Sequence, residues 1–449
     1  MSASQFSYSR DTLRQIAADV LGHASLLGAS ACETDVSEAV GQSIMVRRDE
    51  VETIEYNRDK GLGVTVYLGQ QRGHASSSDF SAEALRSAVA AAVAIARHTA
   101  ADSAAGLPEP ELLTKGPLAA TGLDLYHPWD LPVEEAIDTA RRCERAAFAV
   151  SPLVKNSEGA SVSVQHSQFI SANSLGFMDG FASSRHYISC AVIAGENDAM
   201  QRDDWYSTKR AASDLASPEA IGDYAARRAL ARLRARQLKT RRVPVLFEAP
   251  LAAGLIGSLV HAASGGALYR KASFLVDSLG KAIFPRHLCI SERPHLPGAL
   301  ASSHFDDDGV ATRDREVVEH GVLSGYFLST YTGRKLGMAS TGNAGGSHNL
   351  LVHPGELDFR GLIQAMGTGL LVTELLGQGI NYVTGDYSRG AAGYWVEGGE
   401  IRYPVEEITI AGKLQEMFAG IVAVGNDVLV RGSKHVGSIL VDAMTVAGN

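Results

Sequence analysis

The sequence predicts an α+β protein: an N-terminal helix plus antiparallel meander, a central β-rich segment, and a larger C-terminal α+β domain. Three observations carry this. Stretches with apolar residues at helical spacing are interleaved with runs that alternate apolar and polar at period two, the patterns of amphipathic helix and half-buried strand. A connector rich in proline and glycine interrupts both patterns near residue 105. Residues 366–414 crowd glycines among Leu370-Leu371-Val372, Tyr394-Trp395-Val396 and Ile408-Thr409-Ile410. That mixture reads as short buried strands joined by tight turns, not as a flexible linker.

Residues 11–27 place Leu13, Ile16, Ala17, Val20 and Leu21 on one helical face. Residues 44–46 and 51–56 read as β, and Leu62, Val64, Val66 and Leu68 alternate as in an antiparallel meander. Ser81 is the expected N-cap of an alanine-rich helix over 82–97, with Glu83 in the first turn where the helix dipole favours an anion. Pro108, Pro110, Pro117, Gly106 and Gly116 mark the connector, so a first domain is set at 1–105 and a second at 123–238. Pro132 is expected at N1 of the next helix, whose early Glu134 and Glu135 and later Arg141 and Arg142 suit the dipole. Residues 154–193 read as β, with Asn156-Ser157-Glu158-Gly159 and Asn173-Ser174-Leu175-Gly176 as turns.

Ser217-Pro218-Glu219 starts a helix expected to reach Leu238. Its end carries a basic cluster, Arg227, Arg228, Arg232, Arg234, Arg236, Lys239, Arg241 and Arg242, read as a solvated face that the dipole favours. The sharper reading, an acidic partner or nucleic acid, lacks interleaved aromatic residues for base stacking. Residues 243–247 read as the strand opening a C-terminal domain set at 243–449, followed by helices over 250–263 and 359–366. Glu397-Gly398-Gly399-Glu400 reads as a hairpin turn.

Composition bounds the function. The 449 residues are 45% hydrophobic and 20% charged, ordinary for a soluble globular protein of two or three domains. The formal net charge of −9 argues against non-specific nucleic-acid binding. Cys32, Cys143, Cys190 and Cys289 form no CxxC pair, which fits a reducing compartment without a disulfide framework. The polar N-terminus lacks a signal-peptide core and no run approaches the ~20 apolar residues of a membrane span, so a cytoplasmic protein is expected.

Residues 385–412, GDYSRGAAGYWVEGGEIRYPVEEITIAG, carry a family signature. With Gly61-Leu62-Gly63-Val64, Ala75-Ser76-Ser77-Ser78-Asp79, Asn156-Ser157-Glu158-Gly159 and Tyr269-Arg270-Lys271 in the same order, the chain resembles the PmbA (TldE) branch of the TldD/PmbA metalloprotease family over nearly its whole length. The resemblance implies a subunit that pairs with a TldD-like chain holding zinc. It implies a complex that degrades or trims unfolded peptides, including microcin leader peptides and antitoxins, and a link in name to modulation of DNA gyrase. In the TldD branch an HExxxH motif precedes a segment resembling residues 266–271. Its two histidines and glutamate fall here on Gly257, Ser258 and Ala262, and the third ligand, a cysteine, on residues 430–435, where His435 is the nearest soft donor. The resemblance therefore implies no metal and no catalytic residue in this chain, with zinc in the TldD-like partner. An extended peptide would add as a strand to a sheet edge. A homodimer is expected in isolation.

The residues themselves agree on the metal. A zinc peptidase needs two histidines on one helix with a carboxylate as base, usually directly after the first, and none of the 14 histidines precedes a glutamate. His261 lies one position from the motif, ~100° around a helix. His287, Cys289, His295 and His304 cluster without a zinc spacing, as do His348 and His353; an autonomous hydrolase would have to draw on His287 and His304. A third reading is a peptide-binding protein with no protease partner. Asp306-Asp307-Asp308-Gly309 reads as a turn, since it lacks the alternate ligands and terminal glutamate of a calcium loop. Asp386, Tyr387, Ser388 and Arg389 sit in a glycine-framed loop. Two readings stand: Asp386 and Arg389 pair within a turn, or these residues line a peptide groove or subunit seam.

Overall fold

Serine caps set the first helices. In the computed structural model, which describes residues 6–116 and 121–448, Ser9 accepts a hydrogen bond from the Thr12 N–H and starts α1 (Arg10–Leu26). This helix buries Leu13, Ile16, Ala17, Val20 and Ala24. Strands β1 (Ala31–Arg47), β2 (Glu50–Leu68) and β3 (Gln71–Ser77) form the expected meander. The first of them starts well before Ile44. Its earlier half buries Thr34, Val36 and Glu38, so polar residues on the inner face hide the period. Ser81 caps α2 (Ala82–His98). Pro117 of the connector lies outside the described residues.

Helix α3 (Val133–Val150) takes Pro132 as its N-cap, one position earlier than expected. Strands β4 (Val154–Asn173), β5 (Met178–Asp179), β6 (Ala182–Ala194) and β7 (Gln201–Lys209) follow. Residues 156–159 are not a turn: they form a bulge inside β4, with Gly159 at φ +117. Residues 173–176 are a turn, with the Leu175 N–H donating to Asn173 Oδ1 at 3.0 Å. Helix α4 (Pro218–Ala231) starts at Ser217 as expected but stops well short of Leu238. Past it Arg234 turns left-handed at φ +63, and the Arg236 N–H donates to Pro404 O at 3.0 Å.

These strands make one sheet, in the order β3-β2-β1-β4-β6-β7 with β5 on β4. The registers Glu33↔Asn173 through Val46↔Ala160 join its halves, so the connector links two parts of a continuous sheet. Helices α1 and α2 cover one half, and α3 and α4 the other.

Chain order then gives β8 (Arg241–Phe247), α5 (Ala249–Ala262), α6 (Gly265–Tyr269), β9 (Ile290–Glu292), β10 (Arg315–Glu319), β11 (Val322–Leu323), α7 (Thr330–Leu336), β12 (Leu350–Val352), α8 (Phe359–Met366), β13 (Gly369–Leu376) and β14 (Ile380–Asn381). After these come β15 (Asp386–Glu397), β16 (Glu400–Lys413), α9 (Leu414–Ala419), β17 (Ile421–Val424), β18 (Leu429–Val430), β19 (Lys434–Val436) and β20 (Ile439–Ala447). One sheet runs β11-β10-β9-β12-β19-β18. The other runs β13-β8-β20-β16-β15-β14, and a further β13–β15 pairing closes five of its strands on themselves. The glycine-rich stretch is the wall of that closed sheet. Ile256 and Leu259 of α5 share one core with Val245, Val372, Trp395 and Ile410, while α8 packs Leu362 and Met366 over Leu246, Leu371 and Val396. Gly398 and Gly399, both at positive φ, make the two-residue hairpin between β15 and β16. Among the described residues no helix is long and apolar enough to cross a membrane.

Candidate functional site

Helix α5 follows β8 directly, with Glu248 at its N-cap and Pro250 in its first turn. One side of it meets β18 and β19, so the two segments singled out far apart in the sequence lie together. The three motif positions differ in setting. Ala262 is fully buried in the core. Ser258 is 2% exposed and its hydroxyl donates back to Gly254 O at 3.3 Å. Gly257 opens onto a cavity of about 430 Å³ shared with Tyr206, Leu429, Arg431 and Lys434. A Cβ on Gly257 would sit 3.6 Å from Lys434 Cε. His435 does not line this cavity; its Nε2 is buried without a hydrogen-bond partner, and burial, then Lys209, pushes its imidazole below the usual range. His261 stacks on Tyr382 with ring centroids 4.0 Å apart.

Asp386, Tyr387, Ser388 and Arg389 are not a loop but the first residues of β15. Alternation along a strand decides their roles. Asp386 and Ser388 face solvent, Tyr387 is buried, and Arg389 is half-buried. Asp386 lies 3.5 Å from Lys413, while Arg389 donates to Leu375 O at 3.4 Å, so the pairing of Asp386 with Arg389 does not form. Burial pushes the Tyr387 hydroxyl up to about 12.

The histidines have ordinary partners. His295 lies 3.0 Å from Thr312 Oγ1, His304 2.9 Å from Thr121 O, His348 2.8 Å from Gly342 O, and His353 2.7 Å from Ser291 Oγ. Among the described residues, no three His, Cys, Asp or Glu side chains are grouped to hold a metal ion. Asp306 is the turn expected: its carboxylate accepts from the N–H groups of Asp308, Val310 and Ala344.

Two features were not visible in the sequence. Among the described residues no second strand pairs with β2 over residues 50–57, because β3 pairs only with Leu62–Leu68, and Val51, Ile54 and Tyr56 are exposed there. Arg228 and Arg232, expected on a solvated face, have side chains only 13% exposed. Arg228 bonds Asp203 and Glu248, and Arg232 reaches Glu374, which ties α4 to β7, the start of α5 and β13.

Residues 32–96, 126–233 and 240–448 match, in turn, domain 1, the central domain and the C-terminal domain of PmbA/TldA metallopeptidases. The chain belongs to the PmbA/TldD metalloprotease family. It is 46% identical to the metalloprotease PmbA homolog of Haemophilus influenzae, over 97% of this chain and 96% of that one. It is 48% identical to metalloprotease PmbA of Escherichia coli O157:H7, over 93% and 92%. Among solved structures, a Bacteroides thetaiotaomicron protein provisionally described as a modulator of DNA gyrase superposes with a TM-score of 0.92 at 25% identity, over 98% of this chain and all of that one. TldE of Thermococcus kodakarensis, at 20% identity and a TM-score of 0.82 over 96% of this chain and 100% of its own, shares the PmbA/TldD fold.

Proposed function

We propose that this PmbA/TldD family member is the zinc-free subunit of a cytoplasmic two-chain metalloprotease, and that it holds unfolded peptide for a TldD-like partner that carries zinc. The observation that supports this is the side of α5 that holds the motif positions. Gly257 and Ala262 offer no donor, the Ser258 hydroxyl is committed to Gly254 O, and the neighbouring strand presents the Lys434 ammonium. An ammonium beside the position repels a cation, so this donor set does not fit a zinc ion.

A peptide-holding role finds a place on the open edge of β2. Over residues 50–57, where among the described residues no second strand pairs with β2, outward N–H and C=O groups would bond an extended chain with little regard to its sequence, and Val51, Ile54 and Tyr56 add apolar contact. Asp386 and Ser388 remain the proposed partner contacts on β15; Tyr387 is core. The test is metal content and peptide hydrolysis on one purified sample, alone and mixed with a TldD-like chain. No bound metal and no hydrolysis alone, with chelator-sensitive hydrolysis on mixing, is the expected result. Stoichiometric zinc with hydrolysis by the chain alone would overturn the reading.

A further inference from the structure

The cavity against α5 holds two cations, and among the described residues neither forms an ion pair with a carboxylate. Arg431 lies over Trp205 and Tyr206, 3.8 and 3.9 Å from the ring centroids. It donates through Nη2 to Tyr206 O at 3.0 Å, and its Nε is buried with no partner. Lys434 Nζ donates to Ser433 Oγ at 3.2 Å and, among the described residues, to no other group. Burial lowers both groups from their ordinary values. The carboxylates whose field reaches Arg431 are engaged elsewhere: Glu248 by two bonds of 3.0 Å from Arg228, and Asp204 by Arg202.

Apart from Ser433 and Tyr206, the rest of the cavity wall carries no polar side chain. Leu429, Ala249, Pro250 and Ala253 line it, and Gly254 and Gly257 leave space because no side chain projects from them. Ala249 and Pro250 belong to the first turn of α5, so the positive end of its dipole lies at the same wall. Two uncompensated cations beside an apolar floor ask for an anion with an apolar body. A volume of about 430 Å³ has room for one amino-acid residue and part of the next.

We propose that this cavity binds the C-terminal residue of a peptide, its α-carboxylate meeting Lys434 and Arg431 and its apolar side chain resting on Leu429 and α5. The site binds and carries out no chemistry. It goes beyond the subunit reading and is tested on the chain alone, so the failure of either leaves the other standing.

The experiment is a calorimetric or NMR titration of the full chain with N-acetyl-leucine, N-acetyl-leucinamide, N-acetyl-aspartate amide and inorganic phosphate. N-acetyl-leucine is expected to bind, and its amide about tenfold or more weakly, the usual worth of a charge-assisted hydrogen bond. Lys434→Met should weaken the free acid by about the same factor and leave the amide unchanged. Gly257→Leu, which fills the cavity from a helical position that tolerates a side chain, should abolish binding without lowering the unfolding midpoint. Equal binding of acid and amide, or wild-type affinity in Lys434→Met, would overturn the proposal. Equal or tighter binding of N-acetyl-aspartate amide would move the site to internal acidic side chains and overturn the terminal assignment; tighter binding of phosphate would overturn the apolar body.

Discussion

Replacing Arg228 with methionine removes a charge at the junction of α4, β7 and α5 while keeping most of the side chain's volume against Trp205. Its guanidinium donates to both oxygens of Glu248 and to Asp203, each at 3.0 Å, and to Thr373 O at 3.3 Å. The acids are as buried as the arginine: Glu248 is 12% exposed and Asp203 10%. Removing one partner of such a pair typically costs about 3–5 kcal/mol, because a buried charge is left uncompensated. Here Asp203 keeps Arg232 at 3.6 Å, so one carboxylate, Glu248, is stranded and a cost near the lower end, about 3 kcal/mol, is expected. The exposed pair Arg227–Asp223 on the same helix is the control, and Arg227→Met should cost no more than about 0.5 kcal/mol. Burial already holds the Glu248 carboxyl above the usual range against the pull of Arg228. With Arg228 gone it rises further. A carboxyl raised in the folded state carries no penalty while protonated and destabilises as pH climbs through its folded pKa, so the deficit of Arg228→Met should shrink on acidification. Adding Glu248→Gln should recover more than half of it. The assay is urea unfolding followed by tryptophan fluorescence, since Trp205 lies 5.1 Å from the guanidinium. A cost below about 1 kcal/mol, independent of pH and of Glu248→Gln, would refute the reasoning.

Two further outcomes follow from the N-terminal sheet and its helices. Gly222→Ala would place a Cβ 1.9 Å from Cys143 O, forcing α3 and α4 apart; despite a helix-propensity gain of about 1 kcal/mol, a net loss of about 2 kcal/mol is expected in urea unfolding, and a neutral result would show that the helices separate freely. Burial pushes the Glu33 carboxyl up to about 7, against the bond donated by the Tyr67 hydroxyl and with Asp308 adding to the rise; stability should therefore fall as pH is raised through about 7, Glu33→Gln should flatten that slope, and a slope unchanged in the variant would assign it elsewhere.

Local rules were readable in the sequence wherever their physics is local. Ser81 and Ser217 mark helix starts because the cap bond spans three residues. The end of α4 was not readable, and the arginines beyond it show why. A run of positive charge reads as a solvated face until its acids are located, and those acids lie on β7, at the head of α5 and on β13. Whether Arg228 is surface or core was decided by how three distant elements dock, which no window around residue 228 contains. The same holds for the cavity. The α5 positions and residues 430–435 could each be singled out, but that Lys434 would lie beside Gly257 depends on β19 being laid against α5.

Glycine gave the opposite error. Gly385 and Gly390 around Asp386–Arg389 suggested a loop, on the rule that glycine supplies unusual backbone angles. In β15 neither Gly390 nor Gly393 departs from strand backbone. A Cβ on Gly393 would lie 1.9 Å from Leu371 O of β13, so glycine is needed there for the approach of two backbones. That approach, Leu371↔Tyr394 beside Val372↔Gly393, is the pairing that closes the five-stranded ring. The residues framed by the glycines are therefore fixed by a closed wall. Asp386 and Ser388 point outward from it at set positions, which suits a rigid contact surface, while Tyr387 is spent on the core. The edge of β2 is the contrast: among the described residues no second strand pairs with residues 50–57, so that edge has the freedom the closed wall lacks.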